Sequence, residues 1–117
     1  MRLSVNFNEE EFKCPCCGKV EMQRVFVGKL QKARDIADIP FVITSGYRCV
    51  KHNKEVGGSE NSEHLFGLAA DIACTDSRSR YKIITALLKA GFIRIGIGKN
   101  FIHAGDGYKI GQVIWIY

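Results

Sequence analysis

The chain has only two prolines, one tryptophan and two methionines in 117 residues, and it lacks any Pro/Ser-rich stretch, low-complexity tract or internal repeat. No linker between independent units and no repeat array is in view, so residues 1–117 are expected to form one domain around one core. No apolar run approaches the roughly 20 residues that a membrane span needs. The opening Met1-Arg2-Leu3-Ser4-Val5-Asn6 runs into acids rather than an apolar signal core. Neither a spanning segment nor a secretion signal is expected, which places synthesis in the cytoplasm. The basic residues are scattered, and no helix-turn-helix, zinc-finger or aromatic-basic strand pattern is found. No Gly-rich phosphate loop follows a strand. These absences argue against nucleic acid and nucleotide as partners.

What remains is 46% hydrophobic residues, enough for a real core, and a formal net charge of +5. That charge favours a polyanionic partner, and the acidic polymers of a bacterial cell wall suit it as well as nucleic acid does. Cysteine usage is uneven: of five, three crowd into Cys14-Pro15-Cys16-Cys17-Gly18. The cluster invites a second metal, but a structural zinc needs about four ligands, and Cys49 and Cys74 lie far off in sequence. Free thiols in a turn are the expectation, with a disulfide formed after release into an oxidising medium as the alternative.

Hydrophobic spacing predicts an α+β fold. Asn8 followed by three glutamates reads as the cap and acidic first turn of a short helix ending near Phe12. From Met22 to Asp38 the spacing of Phe26, Leu30, Ala33 and Ala37 predicts an amphipathic scaffold helix, stopped by Pro40. Phe41 to Thr44 reads as a strand delivering Ser45 to Arg48 at its exit. Residues 50–57 suit a short helix and 57–62 a loop. Ala69 to Cys74 is expected to be a central strand. A second helix over Ser77 to Ala90 is predicted to bury Tyr81, Ile84, Leu87 and Leu88 and to end at Gly91. Strands Phe92 to Ile97 and Phe101 to Ala104 lead through the turn Gly105-Asp106-Gly107 to a last strand, Gln112 to Tyr117. Helices early and strands late point to helices packed on a mainly antiparallel sheet.

Two histidines and an aspartate carry the chemistry. His64 and Asp71, seven apart, suit a loop ligand and a strand ligand converging on one ion, and His103 sits on a predicted strand that would fix its imidazole. Two imidazoles with one carboxylate suit Zn²⁺, and three ligands leave a coordination position open, the arrangement of catalytic zinc. On spacing alone, hydrogen-bonded structural histidines are the commoner reading.

A set of segments in order resembles a known family: Phe12-Lys13-Cys14; Ile43-Thr44-Ser45-Gly46-Tyr47-Arg48-Cys49; His52-Asn53; Val56-Gly57-Gly58; Asn61-Ser62-Glu63-His64; Gly67-Leu68-Ala69-Ala70-Asp71-Ile72; and Phe101-Ile102-His103. The chain resembles the zinc D-Ala-D-Ala carboxypeptidase and cell-wall endopeptidase superfamily, whose metal-binding fold is shared with the Hedgehog signalling domain, and within it the small, often phage-borne peptidases. The resemblance implies one Zn²⁺ held by His64, Asp71 and His103. It implies Arg48 as the cation for a substrate carboxylate, a task that suits a planar guanidinium, with Ser62 beside it. His52 reads as structural.

The chain also departs from that pattern. Relatives carry a glutamate three residues before the last zinc histidine or a histidine five before it, where this chain has Asn100 and Gly98. Small phage-type relatives show His-x-Asp, whereas here the acid comes one residue later, in His103-Ala104-Gly105-Asp106. Asp106 is the candidate base or a partner supporting a metal ligand, and Glu63 is expected to point away from the metal. Trp115 and Tyr117 are expected in core or rim. The expectation is a monomeric zinc peptidase acting on peptidoglycan stem peptides or cross-links at the bacterial wall, phage-borne or virion-associated. The alternative is a zinc-containing wall-binding or phage structural module without turnover.

Overall fold

A computed structural model describes residues 1–107 and 111–117. The expected short N-terminal helix is a 3-10 turn, Glu9–Phe12. Its capping box is complete, with Asn8 accepting from Glu10 N and Glu11 from Asn8 N. Helix α1 spans Arg24–Ala37, α2 Val50–Glu55 and α3 Ser77–Ala90. Strands β1 (Ile43–Ser45), β2 (Ala69–Ala73), β3 (Arg94–Ile97), β4 (Phe101–Gly105) and β5 (Val113–Ile116) form a sheet in the order β1-β2-β4-β3-β5. All its pairings are antiparallel except β3 with β5. The α+β class is therefore as the sequence indicates. No helix of the described residues is long and apolar enough to cross a membrane.

Helices α1 and α3 cover one face of the sheet. On α1 the predicted residues Phe26, Leu30, Ala33 and Ala37 are buried, joined by Val27. They meet Ala70 and Ile72 of β2, Ile95 of β3, and Ile102 and Ala104 of β4 in one core cluster. Helix α3 lies where the spacing puts it, capped by Asp76 at its start and by left-handed Gly91 at its end. Its buried stripe is different, however: Ile83, Ala86, Leu87 and Ala90 face inward while Tyr81 and Leu88 are exposed and Ile84 is half-buried. Small Ala86 and Ala90 belong to the face that packs on α1. A count of large apolar side chains misses such a face, because close helix packing prefers alanine there.

Candidate metal centre

Strand register decides where the site lies. Ser45 on β1 stands opposite Asp71 on β2, Asp71 opposite His103 on β4, and His103 opposite Gly96 on β3, which pairs with Trp115 on β5. Because Ala70, Ile72, Ile102 and Ala104 go into the core, alternation sends Asp71 and His103 to the face away from α1 and α3. Both are nevertheless buried.

His64 reaches them from a 3-10 turn, Glu63–Phe66, that precedes β2. Ser62 starts the turn, its hydroxyl accepting from the His64 N–H at 3.3 Å. Gly67 ends it in the left-handed region, φ 69°, returning its N–H to the Glu63 carbonyl. A Cβ at residue 67 would collide with the Glu21 carbonyl and stand 2.9 Å from Met22 Cα. Glycine is thus required by both conformation and space. The His64 ring is fixed by Nδ1, 2.7 Å from the Gly46 carbonyl.

That contact settles the proton on His64. A carbonyl only accepts, so Nδ1 carries the hydrogen and Nε2 of the neutral ring is a bare lone pair. Nε2 is buried, has no hydrogen-bond partner among the described residues, and faces Asp71 Oδ1 at 3.4 Å. On the other side of that oxygen, His103 Nδ1 lies 3.0 Å away, while His103 Nε2 is 2.8 Å from Glu63 Oε2. With Nε2–H donated to Glu63, the neutral His103 ring also turns a lone pair toward Asp71. Two nitrogen lone pairs and a carboxylate oxygen facing one another make a donor set for a cation. The three donor atoms lie within 4.8 Å of one another. A tetrahedral zinc with bonds of about 2.0–2.1 Å has ligand edges of roughly 3.3–3.4 Å, so the donor set and its spacing fit that ion.

The surroundings of the donors are charged and mutually compensated. Burial pushes the Asp71 carboxyl up, but its contacts with His103 and His64 outweigh this and hold it well below the usual carboxylate range. Asp71 Oδ2 also faces Arg48 Nη2 at 3.3 Å. His103 is the converse case: burial disfavours its charge, yet Asp71 and Glu63 on either side raise its pKa. Glu63 is pushed up by burial and pulled below its ordinary value by His103, the Gly107 N–H and Arg94.

Glu63 is the residue whose place the sequence expectation gets wrong. It does not point away. It is buried, accepts the Gly107 N–H at 2.6 Å, lies 3.1 Å from Arg94 Nε in a charge contact, and braces the ring of His103. Its carboxylate fills the space beside residue 105, where any Cβ would collide with Oε2. Gly105 lies two residues beyond His103, on the same strand face, at the position where the resembled small peptidases carry an aspartate. The missing side chain at residue 105, next to an unassigned acid at 63, was the signal available in the sequence. Arg94 in turn stacks over Trp115 at 5.1 Å, and Trp115 lies against His103 with ring centroids 5.2 Å apart.

Arg48 sits at the exit of β1 with each nitrogen engaged: Nε with Ser45 Oγ at 3.1 Å, Nη1 with Asn53 Oδ1 at 3.3 Å and Nη2 with Asp71. Asp106 follows the end of β4. Its N–H goes to the Leu68 carbonyl and its carboxylate takes Lys29 Nζ of α1 at 2.9 Å, so it hydrogen-bonds to none of the three donors. Arg48, Ser62, Asp106, Trp115 and Tyr117 line, with the donors, a cleft of about 1570 Å³. His52 stays out of this site, its N–H directed at Cys49 Sγ.

An α+β sheet bearing a buried His-Asp-His cluster in a cleft defines the class of fold and site. The chain belongs to the Peptidase M15 family, whose family model matches residues 5–105. It is similar to the zinc D-Ala-D-Ala carboxypeptidase of Streptomyces albus G, with 43% identity over 49 residues. That match covers 41% of this chain and 19% of the relative.

Proposed function

We propose that this chain is a zinc peptidase domain, residues 1–117, that hydrolyses peptidoglycan stem peptides or cross-links, with His64 Nε2, Asp71 Oδ1 and His103 Nδ1 as the zinc ligands. The observation that carries the reading is the orphaned, buried Nε2 of His64 facing a carboxylate oxygen. What zinc supplies when bound is Lewis acidity: it polarises a scissile carbonyl and brings the pKa of water to about 7.

The other roles belong to side chains of the cleft. Arg48, anchored through Ser45 and Asn53, keeps one further hydrogen on each Nη nitrogen for a substrate carboxylate, and a terminal D-alanine presents that group. Ser62 spends its acceptor on the His64 N–H and retains a hydroxyl hydrogen for the same carboxylate. Glu63 holds the tautomer of His103 that leaves Nδ1 free. Asp106 takes the proton in this reading and must leave Lys29 to do so. Action at the bacterial wall as a monomer, by a phage-borne enzyme, extends the same reading.

The engagement of Asp106 by Lys29, together with Asn100 and Gly98 where relatives carry a base, favours one second reading: a zinc-containing wall-binding or virion module without turnover. Purified peptidoglycan incubated with the protein, with and without added zinc, separates the two. Zinc-dependent release of amino groups, lost in His64→Ala and reduced in Asp106→Asn, is expected of the peptidase. Pull-down on peptidoglycan without any such release supports the binding module. An Asp106→Asn enzyme with an unchanged pH profile removes Asp106 from proton transfer.

A further inference from the structure

The peptidase site leaves the cysteines unused, and the fold changes their arithmetic. Cys49, remote in sequence, is the N-cap of α2 and lies against the Cys14-Pro15-Cys16-Cys17-Gly18 turn, while Cys74 stays apart. The turn is closed by Gly18 N–H to the Cys14 carbonyl at 2.8 Å, with the Cys14 N–H held by the Lys19 carbonyl at 2.8 Å. The sulfurs of Cys14, Cys17 and Cys49 lie within 4.8 Å of one another. We propose that Cys14, Cys17 and Cys49 hold a second, structural divalent ion of the thiolate-seeking class, zinc foremost, with Cys16 closing the fourth position.

Distance favours an ion over a disulfide. Cys14 Sγ and Cys49 Sγ are 3.7 Å apart. Tetrahedral zinc with Zn–S bonds of about 2.3 Å has sulfur–sulfur edges of roughly 3.8 Å, whereas a disulfide needs about 2.0 Å. Backbone donors also turn toward these sulfurs: the Cys49 N–H points at Cys14 Sγ at 3.5 Å and the His52 N–H at Cys49 Sγ at 3.4 Å. Cys16, exposed on the same turn, is the cysteine that the proposal brings in as the fourth donor. A Cys-x-x-Cys-Gly turn joined by a distant cysteine is a donor set for a closed site without an open position.

The ion has a structural task. It would tie the N-terminal segment to the residue that directly follows Arg48, in a chain small enough to gain from a staple. Tyr47 N–H to the Phe12 carbonyl at 2.9 Å is the protein's own link at the same junction.

The test uses the full chain purified under reductant, carrying His64→Ala so that the His-Asp-His cluster cannot contribute. Titration with Co²⁺ is expected to give a near-ultraviolet thiolate-to-cobalt charge-transfer band saturating at one equivalent. The band should be lost in the added Cys14→Ser or Cys17→Ser variant, and bound Zn²⁺ should shield the thiols from Ellman's reagent. No band at saturating cobalt in the His64→Ala protein overturns the proposal, whether or not the cysteine variants fold. So does an intact mass lower by two hydrogens that maps to a Cys14–Cys49 disulfide in the reduced preparation. Absence of peptidase activity leaves this readout untouched, so the two readings fail separately.

Discussion

Glu63→Gln is the sharpest perturbation of the centre because it preserves shape and removes only the charge and one acceptor. In the parent, the two Glu63 oxygens serve the His103 Nε2–H at 2.8 Å and the Gly107 N–H at 2.6 Å, with Arg94 Nε at 3.1 Å. A glutamine has one acceptor oxygen, so its NH₂ must confront either the imidazole N–H or the Gly107 N–H, and Arg94 loses its counter-charge. His103 then has less reason to keep its hydrogen on Nε2 and its lone pair on Nδ1. Removing a carboxylate that orients a metal-binding histidine typically weakens metal affinity roughly 10- to 100-fold, or about 1.4–2.7 kcal/mol. Competition of Zn²⁺ against a calibrated chelator, with folding checked by circular dichroism, measures the change. Gly105→Ala should produce the same direction of effect without altering any ionisable group, because the new Cβ displaces the Glu63 carboxylate. If both variants hold zinc as tightly as the parent, Glu63 does not position His103 and the reasoning fails.

Zinc affinity should rise about tenfold per pH unit below the raised pKa of His103 and level off above it, since the proton on Nδ1 must leave before the lone pair can bind an ion; a pH-independent affinity between pH 5 and 8 contradicts this. In the metal-free protein, His103 contributes stability present below its unfolded value of 6.5 and lost as pH rises through its higher folded value. Asp71 and Glu63, depressed from 3.8 and 4.5, contribute stability present above those values and lost as pH falls. Thermal melts of the metal-free chain should therefore peak between about pH 4.5 and 6.5, and a melting temperature still climbing above pH 7 would count against the assignment. Arg48→Lys is expected to keep zinc and raise KM for a carboxylate-ended peptide roughly ten- to hundredfold, the cost of a charged hydrogen bond; loss of metal would assign Arg48 to the centre's integrity instead. Gly67→Ala should destabilise by more than about 1 kcal/mol through its left-handed backbone and the clash with Glu21, and a variant melting like the parent would show that the turn tolerates a Cβ.

Much of the fold was legible because local physics dictated it. The stripe of Phe26, Leu30, Ala33 and Ala37 gave α1, Asn8 with its glutamates gave the N-terminal cap, and Gly91 ended α3. The inward face of α3 was not legible, since it depends on which neighbour the helix meets. The ligand motif around His64, Asp71 and His103 could be read from spacing and resemblance, and the same residues come together in the fold.

Sequence alone determined the class of fold, the donor types and the order in which they occur, because periodicity and donor chemistry are properties of residues along the chain. Only the tertiary structure decided which acid braces His103, that Asp106 faces Lys29, and that Cys49 completes a cysteine cluster. Those facts depend on strand register and on close approach between segments some 35–77 residues apart, as from Cys14 to Cys49 and from Lys29 to Asp106. No local pattern encodes such distances, because they are set by how the whole core packs.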